Sequence, residues 1–254
     1  AIKKEYGRKR RTAIENAEEA VYEEKKMEEM EVCFLMDRFG YMKLIDKNAY
    51  ERNKEAVHNE NKYVFNCMNT DKICIFTDTG KRHTIKAVDI PLGRFRDKGT
   101  PVDNLSNYDS SQERMLYVAP VGQLRSDRLL FVTKTSMCKL VEGAEFDVAK
   151  RTIASTKLAD EDELIFIGSA SEMEQIVLQS HGGCFLRFLA QEVSTMKKTA
   201  LGVRGMKLAD DDYLEHAYLL AGHQEYTISY HDKEYALNKV RLAKRDTKGI
   251  KPRI

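Results

Sequence analysis

Lys197-Lys198-Thr199-Ala200-Leu201-Gly202-Val203-Arg204-Gly205-Met206-Lys207-Leu208, followed at once by the acidic run Asp210-Asp211-Asp212, is the stretch from which the architecture becomes readable. It is a basic, glycine-bent connection that enters a short strand, where Val203, Met206 and Leu208 are apolar, and closes in an acidic turn. Glycine allows sharp bends and close backbone approach, and Asp favours turns because its side chain bonds nearby backbone. Weaker copies lie at residues 93–102, 150–163 and 244–250. A recurring layout implies repeated structural units, so the segments between the copies should also correspond.

They do. Residues 32–36 form an apolar run closed by Asp37-Arg38-Phe39-Gly40 and resumed at residues 41–45, which reads as a β-hairpin. Equivalent hairpins are expected at residues 73–88, 129–141, 176–188 and 226–237, with starts about 40 to 55 residues apart, the spacing of propeller blades. A second apolar strand, such as residues 114–119 or 163–168, leads back into the next hairpin. The expectation is an all-β, propeller-like disc of about five four-stranded blades over residues 29–254, preceded by a linker at residues 1–28.

Composition narrows the class. The chain has 254 residues, with 42% hydrophobic and 32% charged, so it is long enough to bury a core without staples. No uncharged apolar run approaches the about 18 residues of a membrane span. The N-terminus, Ala1-Ile2-Lys3-Lys4-Glu5, has no apolar signal region and reads as the cut edge of a longer protein. Five scattered cysteines and no C-x-x-C pair indicate reduced core thiols in a cytosolic protein and argue against zinc. The net charge of +2 hides an asymmetry, because residues 17–31 carry seven Glu against two Lys while later connections are basic.

With this order of parts, the chain resembles the C-terminal domain of the A subunit of bacterial type IIA topoisomerases, DNA gyrase and topoisomerase IV. The resemblance rests on Tyr6-Gly7-Arg8-Lys9-Arg10-Arg11-Thr12, Phe39-Gly40-Tyr41-Met42-Lys43, Val203-Arg204-Gly205-Met206-Lys207-Leu208 and Thr247-Lys248-Gly249. It implies a β-pinwheel whose basic rim binds double-stranded DNA and bends it. It also implies partners: an ATPase B subunit, with the remainder of the A subunit, in an A2B2 holoenzyme of the cytoplasm that is associated with the nucleoid. The tyrosine that breaks DNA belongs to the region preceding this one, so none of the twelve tyrosines is assigned a catalytic role. No cofactor is expected in this domain, since ATP and Mg would be bound elsewhere in the holoenzyme. Thr79-Gly80-Lys81 lacks the upstream glycine of a phosphate loop.

One departure points within the family. The A chains of gyrases carry a glycine- and arginine-rich box after the first hairpin, whereas residues 50–60 here contain no glycine and are expected to form a different loop. That absence, with five units instead of six, favours a topoisomerase IV-like subunit over a supercoiling gyrase.

The residues expected to contact DNA are the connection cations. They are Arg94, Arg96 and Lys98; Lys150, Arg151 and Lys157; Lys197, Lys198, Arg204 and Lys207; and Lys244, Arg245 and Lys248. Cations repeated along one edge would neutralise phosphates without reading sequence. Hairpin cations Lys43, Arg82, Lys139 and Arg187 are possible additional DNA contacts. The acidic turns at residues 160–163 and 210–212 lack the ligand spacing of a calcium loop and read as turn caps, so no metal site is assigned. His181 reads as a turn residue. Two other classes stay open: a propeller that binds protein partners, and an enzyme with a central site, for which no nucleophile and base are placed together.

Overall fold

The computed structural model describes residues 28–222 and 224–252; the Tyr6 to Thr12 motif and all but the last residue of the linker lie outside them. The chain begins with β1 (Glu31–Met36), β2 (Tyr41–Asp46) and β3 (Tyr63–Met68), then the hairpin β4 (Lys72–Thr77) and β5 (Lys81–Lys86). The next strand, β6 (Thr100–Pro101), does not extend the β4–β5 sheet. It returns to the preceding one, giving the order β3-β1-β2-β6.

The same crossing recurs. β7 (Met115–Pro120) joins β4, and after the hairpin β8 (Arg128–Thr133) and β9 (Met137–Glu142), β10 (Thr152–Ala154) returns to β5, completing β10-β5-β4-β7. β11 (Leu164–Ser169) joins β8. After the hairpin β12 (Gln175–Ser180) and β13 (Phe185–Leu189), β14 (Val203–Arg204) returns to β9, completing β11-β8-β9-β14. The fourth sheet is β13-β12-β15, with β15 at Leu214–Leu220, and its outer position holds only the antiparallel bridge Phe185 to Ile250. The fifth is the hairpin β16 (Thr227–Tyr230) and β17 (Lys233–Ala236). All five expected hairpins are present, but among the described residues only the first three sheets have four strands. The basic connections also close the sheet before them in sequence, a placement that hydropathy could not reveal.

Sheet packing explains the apolar runs. β1, β4, β8 and β12 show no alternation of apolar and polar residues, because each is the inner strand of a sheet covered on both faces. Side chains still alternate between faces, so Ile73 and Ile75 join Phe34 and Met36 of the first sheet, while Cys74 and Phe76 join Leu129 and Phe131 of the third. Leu130 and Val132 meet Ile176 and Leu178, and Val177 meets Leu237 and Val240 beyond the fifth hairpin. Each core layer therefore belongs to two consecutive units.

The outer face of the first sheet is covered differently. Residues 50–60, expected as a loop, lie in two short helices, α1 (Lys47–Arg52) and α2 (Lys54–Glu60). The Asp46 carboxylate accepts the Ala49 N–H at 2.8 Å and starts α1. Val57, fully buried, packs on Cys33, Leu35 and Ile45, and about 1.5 kcal/mol is a reasonable scale for that burial. Two one-turn helices, α3 (Val102–Leu105) and α4 (Val121–Leu124), sit in loops. The all-β expectation omitted these pieces because a single buried residue in α2 leaves no apolar stripe.

Gly202 lies where a connection meets the preceding sheet, with φ of 106° and a Cβ position 2.7 Å from the Cys138 carbonyl oxygen. Gly202→Ala should destabilise the fold by about 2 kcal/mol in urea unfolding. Gly122→Ala, in α4, where an added Cβ would meet only the Asp71 carboxylate at an ordinary contact distance of 3.8 Å, should be neutral or slightly stabilising. Equal effects of the two substitutions would contradict the close-approach role.

Candidate nucleic-acid interface

Three connections share one register. Leu92, Thr195 and Leu242 each form a parallel bridge to a hairpin strand, at Leu44, Leu140 and Arg187 respectively. Seven residues further on stand Gly99, Gly202 and Gly249, immediately before the residues that close the preceding sheets. The connection through Lys150 and Arg151 is shorter. Repetition of the backbone places the connection cations at related positions around the fold.

The structure divides the predicted cations into groups. Arg94, Arg96, Lys98, Lys150, Arg151, Lys157, Lys207, Lys244 and Lys248 are exposed, and among the described residues their side chains make no ion pair or hydrogen bond. Lys98 places its ammonium 4.4 Å from the centre of the Tyr41 ring. Lys197 is exposed but lies 3.5 Å from Glu145, and Arg204 forms a two-pronged pair with Asp246. Lys198 and Arg245 are clamps. The Lys198 backbone N–H donates to the Glu145 carboxylate and its ammonium to the Glu145 carbonyl, at 3.1 and 3.0 Å. Arg245 repeats this on Glu192, at 2.9 and 3.1 Å.

The hairpin cations are placed for a different task. Lys139 is 1% exposed and donates to the carbonyls of Lys198 and Ala200 at 2.7 and 2.6 Å. Lys43 does the same with the carbonyls of Phe95 and Asp97, at the corresponding places of its connection. Arg82, fully buried, donates to the carbonyls of Phe146 and Lys150, and Arg187 donates to that of Asn238. These four cations gather connection carbonyls, of which those of Lys198 and Phe146 also accept a backbone N–H, so the geometry gives them a role in the scaffold. Burial pushes the Lys139 ammonium down to about 8, against the attraction of Glu145.

The acidic turns latch onto hairpin turns of their own sheets. Asp162 accepts the Thr135 N–H and hydroxyl at 3.1 and 2.6 Å, and Asp212 accepts the Gly182 N–H at 2.9 Å. His181 is exposed and stacks on Tyr213 with ring centres 4.7 Å apart. Between the connections carrying Lys150 and Lys198 runs a groove of about 500 Å³, lined also by Thr152, Thr156 and Lys157. Among the described residues no cluster of His, Cys, Asp and Glu has the form of a metal site, and the cysteines are free. Among the described residues no helix is long and apolar enough to cross a membrane.

Sequence reading missed the clamp carboxylates Glu145 and Glu192, although each lies 53 residues before its cation. That constant separation was the available signal. It also missed the buried pair His83 and Glu113, which no spacing rule connects.

Sheets that borrow an outer strand from the following connection, stacked face to face with a basic segment at each crossing, define a propeller of the β-pinwheel class. A family profile described as "DNA gyrase C-terminal domain, beta-propeller" matches residues 127–171 and 174–221. The chain is 29% identical over 215 residues to the A subunit of DNA gyrase from Clostridium acetobutylicum, a match covering 80% of this chain and 26% of that protein. It therefore spans about a quarter of the length of the curated relatives it matches. A crystal structure of the C-terminal domain of DNA topoisomerase IV has a TM-score of 0.77 at 22% identity, over 88% of this chain and 72% of that one. A DNA gyrase A C-terminal domain has a TM-score of 0.57 at 18% identity, over 87% and 76%. The chain has the β-pinwheel fold of the C-terminal domains of gyrase A and of its topoisomerase IV counterpart, and its sequence is similar to that region of gyrase A subunits.

Lys139→Met should cost about 2 kcal/mol in denaturant unfolding, because it leaves the Ala200 carbonyl unpaired and takes one of two donors from the Lys198 carbonyl, which keeps the Lys157 N–H. The sign of its pH dependence is specific. A lysine whose folded pKa lies at about 8, below its unfolded value, keeps its proton longer in the unfolded chain, so folding stability rises with pH between about 8 and 10. The wild type should gain stability over Lys139→Met across that interval; a parallel pH profile would contradict the assignment.

Proposed function

We propose that this chain is the DNA-binding and DNA-bending module of the A component of a topoisomerase IV-like enzyme. It would hold a duplex segment on its rim for ATP-dependent strand passage by the holoenzyme. The observation that carries this reading is the set of exposed connection cations that make no ion pair or side-chain hydrogen bond among the described residues. Cations fixed on a rigid edge release counterions when they meet phosphates, which gives salt-dependent affinity without base readout. Partners on this reading are double-stranded DNA, the ATPase B subunit, and the remainder of the A subunit, in the cytoplasm.

The choice of topoisomerase IV over gyrase rests on the helices α1 and α2. They fill the place after the first hairpin where gyrase's glycine- and arginine-rich box is expected, with Lys47, Arg52 and Lys54 offset by Glu51, Glu55 and Glu60. A net-neutral helical cap offers a phosphate backbone little attraction. Gyrase A is the second reading, supported by the name of the curated relatives. A protein-binding propeller is the more distant one; its affinity for partners would not depend on the rim cations.

Reversing Lys150, Arg151 and Lys157 to Glu should weaken binding to random duplex at least tenfold at moderate salt and change folding stability by no more than about 0.5 kcal/mol. Unchanged affinity would exclude this part of the rim. Ligating nicked plasmid with the bound domain separates the two family readings. A topoisomerase IV-like module should leave the linking number nearly unchanged, whereas a large shift would favour gyrase.

A further inference from the structure

The second sheet replaces the carbonyl-binding lysine of its neighbours, Lys43 and Lys139, with a histidine. Counted from the turn residue, His83 stands third after Gly80, as Lys43 does after Gly40 and Lys139 after Ser136. The connection above it is the short one, and His83 makes different contacts. Its ring is 1% exposed, with Nε2 3.2 Å from Glu113 Oε2 and Nδ1 3.1 Å from the Thr152 hydroxyl. Thr152 opens β10 and lines the groove that also holds Lys150, Lys157 and Lys198.

The hydrogen bonds around this pair fix where protons sit. Glu113 accepts from the hydroxyls of Thr77 and Thr79 at 2.8 and 3.0 Å and from the Lys81 ammonium at 3.1 Å, besides His83. Despite its burial, these donors hold the Glu113 carboxyl down to about 2, so it is an acceptor only. The neutral imidazole must then carry its proton on Nε2, and its bare Nδ1 can only accept the Thr152 hydroxyl proton. Asn107 donates its amide to the same Thr152 oxygen at 3.1 Å. The other ionisable neighbours are Tyr108, whose hydroxyl is held by the Glu113 carbonyl, and Arg82, which is turned to the carbonyls of Phe146 and Lys150.

Protonation of His83 reverses this arrangement. Nδ1 becomes a donor to Thr152, whose oxygen then receives protons from both His83 and Asn107, and the hydroxyl hydrogen has no inward acceptor left. We propose that Thr152 is a phosphate-contacting residue of the rim, and that the buried His83–Glu113 pair turns its hydroxyl toward the groove when His83 takes up a proton. This rests on the DNA-binding reading and adds to it a proton linkage: duplex affinity rises as pH falls, with one proton taken up at His83. Thr152 is the contact, and His83 is a positioning residue.

The test is the dissociation constant for a random duplex at fixed salt, measured from about pH 8 to about pH 5.5, the range in which histidines titrate. It is run on the wild type, Thr152→Ser and Thr152→Val. The other histidines contribute equally to all three, so the difference isolates Thr152. The wild type and Thr152→Ser should gain about five- to tenfold more affinity on acidification than Thr152→Val, the scale of one hydrogen bond to a charged group. Equal gains in wild type and Thr152→Val would overturn the proposal while leaving DNA binding intact. No binding by wild type at any pH would overturn the DNA-binding reading and the proposal with it. Independently of any variant, nitrogen NMR of the His83 ring at about pH 8 should show the Nε2–H tautomer, and the Nδ1–H tautomer would overturn the proposal.

Discussion

The inner strand of each sheet is apolar on both faces and cannot be solvated on either. β4 illustrates the constraint: Ile73 and Ile75 need the first sheet, while Cys74 and Phe76 need the third. No unit can bury its own strand, so stability resides in the layers between units, as in other stacked repeats. At one end the chain meets this need with α1 and α2, whose Val57 covers the first sheet. The outer edges pose a second problem, unpaired backbone, and in the first three sheets it is met by a strand from the connection after the next hairpin. The connections are therefore structural first, and their position at the crossings makes them the basic rim.

That double duty explains two populations of cations. An ammonium removed from water needs several acceptors, and Lys43 and Lys139 find them in connection carbonyls, which themselves would be costly to bury unpaired. Lys198 and Arg245 fasten the connections to Glu145 and Glu192 in the same way. The remaining cations stay solvated and contribute little to folding, which leaves their charge available to an external polyanion. Charge type alone does not separate the populations, but burial does.

Much of the fold was legible in the sequence. The hairpins announced themselves by apolar runs broken at Gly40, Gly80 and Gly183, all of which have positive φ. Strand exchange between sheets was not legible, because a two-residue strand such as β14 carries no periodicity and its partner is distant in sequence. The helical cap was hidden for a related reason, since α2 buries Val57 alone. Among the candidate site residues, the exposed connection cations are marked in the sequence by their repetition, whereas Lys139 and Arg82 were indistinguishable from them until their burial was known. The His83–Glu113 pair depends on a loop folding back across thirty residues, and nothing local marks it.

The central claim is that exposed connection cations act together on a phosphate backbone. The slope of the logarithm of the duplex association constant against the logarithm of salt concentration tests it most directly. The account predicts a steep slope, equivalent to several phosphates at about 0.9 per contact, that is shallower in a variant lacking the exposed cations and unaltered in one lacking only the buried Lys139. A slope near zero, or one that depends on Lys139 and not on the exposed cations, would contradict it.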